Sequence, residues 1–80
     1  MNPRVKQVKA EKDFMLRILF TNGEEKTFDV KPFLEIGIFK SLKNMALFTT
    51  AHAEYGTVVW QNNLDFDPDR LYLESKPASA

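Results

Sequence analysis

Eighty residues, 44% hydrophobic and 12% aromatic, are enough for one small domain and too few for two, since typical domains run to about 100 residues. Eleven Lys and Arg balance eleven Asp and Glu, which disfavours a dedicated binder of nucleic acid or of anionic membrane, because both need a basic excess. With no cysteine there is no disulfide framework, thiolate zinc site or cysteine nucleophile, and Met1 to Ala10 hold no apolar run of the kind that targets or spans a membrane, so the expected location is cytoplasmic.

Val5 and Val8 have opposite strand parity, so a first strand over Arg4 to Ala10 is expected to carry a bulge or to lie at an edge guarded by Arg4, Lys6 and Lys9. Phe14, Leu16, Ile18 and Phe20 then alternate with Met15, Arg17, Leu19 and Thr21, the period of a strand with one apolar face. A two-residue turn at Asn22-Gly23 would set Phe28 on the wrong face, opposite Arg17. A three-residue loop Thr21-Asn22-Gly23, with Gly23 in the left-handed conformation, instead pairs Phe20 with Glu24, Leu16 with Phe28 and Phe14 with Val30.

Pro32 can open a helical turn through Phe33-Leu34-Glu35 that stops near Gly37, and Asn44 can cap a short helix Met45 to Phe48. Further on, the loop Gln61-Asn62-Asn63 pairs Trp60 with Leu64 and Val58 with Phe66, with Asn63 left-handed. Val58, Val59 and Trp60 are apolar on both faces, which places this strand at the centre of the sheet. Asp67-Pro68 reads as the N-cap and first residue of a helix through Leu71 and Tyr72. Ser75 to Ala80 is expected to fray. The sum is a single α+β domain over residues 1–74 with a flexible tail over 75–80: a mainly antiparallel sheet of five or six strands built from hairpins, with two or three short helices.

Three constellations could carry chemistry. Asp65, Asp67 and Asp69 space like the start of a calcium loop, but Arg70 and Lys76 stand where that loop needs glycine and glutamate, so Asp67 is read as a helix cap and no metal is assigned. His52, the single histidine, has Glu54 on the same strand face, a base with an orienting carboxylate in principle, yet no nucleophile motif or phosphate-cradling loop joins it. The charges divide: residues 1–43 hold nine basic and six acidic side chains (+3), residues 44–80 two basic and five acidic (−3), a dipole that could steer a partner or drive head-to-tail association. No catalytic residue and no cofactor are assigned.

The apolar residues from Phe33 to Phe48 crowd a short irregular region that one thin sheet does not easily cover. Phe33, Ile38, Phe39, Met45 and Phe48 are the candidate interface residues, rimmed by Lys31, Lys40 and Lys43; the alternative is that they are core.

Leu19-Phe20-Thr21-Asn22-Gly23-Glu24 with Phe28-Asp29-Val30, Gly56 to Trp60, and Asp65 to Tyr72 resemble, in order and spacing, a bacterial family, domain of unknown function 2442. The resemblance runs from about Pro3 to Tyr72. It departs at Gln61-Asn62-Asn63, where the family often shows Pro-Asn-Gly. It implies a small α+β domain, found alone or fused to a helix-turn-helix domain and often encoded beside another short protein, and it brings no catalytic residue set. The expectation is a non-enzymatic protein-protein interaction module acting with another small protein, or self-associating. The alternative is a regulatory accessory domain associated with transcription or a toxin–antitoxin-like pair, without its own DNA-binding motif.

Overall fold

The computed structural model of the chain describes residues 2–78. Its main sheet has four strands, β1 (Val5–Glu11), β2 (Met15–Phe20), β3 (Glu25–Asp29) and β6 (Lys76–Pro77), in that spatial order and all antiparallel. A second, two-stranded sheet is formed by β4 (His52–Glu54) and β5 (Thr57–Val59). Besides helix α1 (Met45–Phe48) and helix α2 (Pro68–Glu74) there are 3-10 segments at Lys31–Phe33 and Gly37–Lys43 and a tight turn at Lys12–Phe14 in which Asp13 and Phe14 have positive φ. This is the expected α+β class, with the strands divided between two sheets rather than gathered in one.

Strand parity decides the pairings. Leu16 faces Phe28 and Arg17 faces Thr27, while the Phe20 N–H donates to Glu24 O at 2.8 Å and the Gly23 N–H to Phe20 O at 3.0 Å. Gly23 has φ +90°, a left-handed conformation that glycine adopts without cost. The three-residue loop is therefore the one that forms, and it keeps Leu16, Ile18, Phe20 and Phe28 on the buried face. Trp60 repeats the device: its N–H donates to Leu64 O at 2.8 Å, Asn63 donates to Trp60 O at 2.9 Å, and Asn63 has φ +66°.

β1 lies at the sheet edge and carries its bulge at Lys6, where the register passes from Val5 opposite Phe20 to Gln7 opposite Leu19. The extra residue turns Val5 inward beside Val8 and Ala10 in spite of their parity. The strand is displaced from the expected Arg4–Ala10 by one residue at each end.

Two expectations need correction. The centre of the main sheet is β2 with β3, not the strand ending at Trp60. β5 is inner only within its own unit, with β4 on one edge and the Val59–Asp65 bridge on the other; Val58 and Trp60 are wholly buried and Val59 is half-buried. The tail does not leave the fold at Ser75: Lys76 pairs with Thr27, Pro77 with Lys26, and the Ala78 N–H donates to Glu25 O at 3.0 Å. Ser79 and Ala80 lie outside the described residues. The turn at Gly37–Lys43 also went unread, because Ile36, Ile38, Phe39 and Leu42 follow no helical or strand period.

The irregular segments close the core from the side opposite solvent. Phe39 stacks on Phe66 with centroids 4.6 Å apart, and Phe33 meets Phe66 edge-on at 5.2 Å and stacks on Phe28 at 5.6 Å, geometries that add to simple area burial. The Nε1–H of Trp60 donates to Phe48 O at 3.0 Å, and Phe48 meets Phe14 edge-on at 5.2 Å. α1 thus seals one end of the sheet.

Candidate functional site

His52 and Glu54 share a face as their spacing requires, with His52 Nε2 2.9 Å from Glu54 Oε2 and Nδ1 3.0 Å from Thr50 O. Both ring nitrogens therefore face acceptors, an arrangement that favours the doubly protonated ring; the Thr50 carbonyl first, then the Glu54 carboxylate, raise the pKa of His52. The pair is exposed on β4. Its geometry holds a proton and leaves no free lone pair, which suits a charge clasp on a short strand.

The aspartates separate by role. Asp67 Oδ1 accepts from the Asp69 N–H at 3.1 Å and so caps α2. Asp69 lies 3.3 Å from the Asn2 amide and 3.7 Å from Arg4, and Asp65 bridges to Val59 through its backbone. Among the described residues no three acidic or histidine side chains gather as a metal-binding group.

The five residues singled out between Phe33 and Phe48 divide between core and surface. Phe48 and Phe33 are buried, Phe39 is half-buried in the aromatic stack, and Ile38 and Met45 are 70% and 43% exposed. The exposed apolar side chains of this region are therefore Ile36, Ile38 and Met45, of which Ile36 lies outside the candidate interface set. The expected lysine rim is also partly committed elsewhere. Lys31 Nζ donates to Asp13 O at 2.8 Å and pairs with Asp29 at 3.1 Å, which pins the β1–β2 turn. Lys43 pairs with Glu35 at 2.6 Å and holds that carboxyl below its ordinary range. Lys40 makes no ion pair among the described residues.

A groove of about 680 Å³ opens where the end of β1 faces α1, within the volume range of ordinary binding sites. Ala10, Met15 and Met45 give it apolar walls, with Thr49 beside them and Lys9 and Lys12 at its margin. Glu11 also lines it but is held by Arg17 at 3.0 Å, whereas Lys9 and Lys12 make no ion pair among the described residues. Met45 is common to this groove and to the exposed apolar set. The sequence points to Met45 but not to Lys9 and Lys12 as groove residues, because Lys9 reads only as an edge guard and Lys12 carries no distinguishing pattern.

A split antiparallel sheet closed by short helices, with an apolar groove at one edge, defines a small α+β domain. The chain belongs to the family described as "Protein of unknown function (DUF2442)", whose profile matches residues 5–77. Comparison with curated proteins and with solved structures gives no match.

Proposed function

We propose that this domain is a non-enzymatic interaction module that acts with another small protein, through the exposed side chains of Ile36, Ile38 and Met45 and the groove that Met45 lines. The observation that carries the reading is that these side chains stay exposed in a chain whose size leaves little apolar surface to spare: an 80-residue domain buries only about 60–70% of what its unfolded chain exposes. Exposed apolar side chains beside a concave surface with charged margins have the make-up of a protein interface, where Met and aliphatic anchors occupy the centre and charge the rim.

The test begins with affinity capture by the wild-type chain and by Ile38→Asp and Met45→Asp variants, followed by titration of the purified partner against each. The expected result is a saturable complex that either substitution weakens about tenfold or more, equivalent to roughly 1.4 kcal/mol, with thermal stability unchanged. A partner that binds both variants as well as wild type, or a chain that binds no purified protein, overturns the reading.

A further inference from the structure

The hydrogen-bonding direction of β2 fixes which way β1 points its backbone. The Phe20 N–H donates to Glu24 O, and the Val30 N–H to Phe14 O, so even-numbered residues of this strand face β3. The Thr21 N–H donates to Arg4 O, so odd-numbered residues face β1. The register then sets Gln7 against Leu19, Lys9 against Arg17 and Glu11 against Met15 as the hydrogen-bonded pairs. Val8 and Ala10 consequently direct their N–H and C=O away from the sheet, and among the described residues these groups have no partner.

At its start this outer edge is occupied, because the Val5 N–H donates to Gly56 O at 2.9 Å and β4 packs beside β1. At its end it opens into the groove that Ala10 shares with Met15, Met45 and Thr49. A strand edge with free backbone groups is a template for an added strand. Lys9 and Lys12 flank Ala10, and neither has an acidic partner among the described residues. Lysines in this place repel cationic strands and leave neutral ones with desolvated charge, so an acidic strand is the one they admit.

We infer that the groove receives an extended acidic segment of a partner polypeptide, which adds to the free edge of β1 at Ala10, sets apolar side chains against Met15 and Met45 and places carboxylates against Lys9 and Lys12. This rests on the interaction-module reading and specifies its partner. The occupant is another chain rather than a second copy. Within this chain the exposed apolar residues that adjoin an acid are Ile36 beside Glu35, Tyr55 beside Glu54 and Leu73 beside Glu74; they sit between two 3-10 turns, on a hairpin turn and on a helix, and Glu35 is already paired with Lys43 at 2.6 Å, so none offers a free extended acidic segment.

The probe is an acetylated, amidated heptapeptide of alternating Val and Glu, titrated into the full chain and followed by backbone amide resonances and amide exchange. Expected are saturable shifts centred on Ala10 and slowed exchange of its N–H. Binding should fall about tenfold or more when the peptide backbone is N-methylated at alternate residues, when Lys replaces Glu in the peptide, or in the Lys9→Glu/Lys12→Glu double variant. Ala10→Pro provides the matching change on the protein side, since it deletes an outward N–H and spares the ladder to β2; the N-methylated peptide makes the same test on an unaltered protein.

Binding indifferent to N-methylation, shifts centred elsewhere, or no binding at millimolar peptide would overturn the inference. Should the captured partner be lost by Met45→Asp yet bind Ala10→Pro and the double lysine variant as it binds wild type, strand addition fails while the interaction module stands. Should the wild-type chain bind no partner at all, the module reading itself fails.

Discussion

Trp60 donates its indole N–H to the backbone carbonyl of Phe48 at 3.0 Å, joining the buried end of the β5 hairpin to the last residue of α1. Both residues are wholly buried, so the bond is made where water cannot substitute for it. The sealing of the sheet by α1 therefore combines a buried polar contact with the packing of Phe48 on Phe14 and Trp60.

Replacement of Trp60 separates the two contributions. Trp60→Ala removes a large core side chain as well as the bond and is expected to cost about 3–5 kcal/mol. Trp60→Phe keeps most of the apolar volume and leaves Phe48 O with only the Ala51 N–H at 3.3 Å, for a loss of about 1–3 kcal/mol. Urea unfolding of the two variants checks both values, and a Phe variant as stable as wild type would show that the bond contributes nothing.

Gly23 and Asn63 fill equivalent places in two loops of the same design. Both are left-handed, and a Cβ at Gly23 would meet nothing within 4 Å, so only backbone conformation distinguishes substitutions there. Gly23→Val is expected to lose about 1–3 kcal/mol, whereas Asn63→Gly should gain up to about 1 kcal/mol. Opposite shifts in thermal midpoint are the outcome to look for.

The parity argument succeeded at these loops because strand period and a left-handed turn residue are local properties. Leu16 opposite Phe28 and Trp60 opposite Leu64 follow from counting residues. Where the β4–β5 hairpin sits relative to β2 does not, since that depends on packing among segments far apart in sequence. For the same reason Phe33 and Phe48 are not assignable to the interior from sequence: Phe33 lies in a 3-10 turn that carries no period, and α1, which carries Phe48, is a single turn too short to show one. Of the candidate site, Met45 and Ile38 were legible as apolar residues in excess. The free backbone of Ala10 was not, because it requires knowing which edge of β1 is paired.

Asp67 caps α2 through the Asp69 N–H at 3.1 Å, so Asp67→Ala should lose about 0.5–2 kcal/mol. The loss is expected to be the same with calcium and with chelator. A saturable heat on calcium titration at micromolar concentration would contradict the capping account.

Two exposed clasps should give stability a pH dependence at opposite ends of the scale. His52 has its pKa raised by the Thr50 carbonyl and by Glu54, so its contribution is complete below the ordinary value of 6.5 and disappears as pH rises through the higher folded value. Glu24 is lowered, first by the Tyr72 hydroxyl and then by the Asn22 amide; its contribution is present above about 4.5 and is lost as pH falls through the lower folded value. His52→Ala should therefore flatten the stability profile above the ordinary imidazole value of 6.5, and Tyr72→Phe should flatten it below the ordinary carboxyl value of Glu24. Profiles that change in the reverse assignment would refute both.

The final prediction separates core from surface within the segment from Phe33 to Phe48. Phe48 is wholly buried against Phe14 and Trp60, so Phe48→Asp buries a charge without a partner and is expected to abolish folding. Ile38 is 70% exposed and Met45 43%, so Ile38→Asp and Met45→Asp should shift stability by no more than about 0.5 kcal/mol. The two classes are compared by thermal unfolding and by capture of the partner on the same preparations. Loss of binding in a folded Met45→Asp chain marks an anchor; unfolding of that variant would instead place Met45 in the core and leave the β1–α1 groove without its apolar wall.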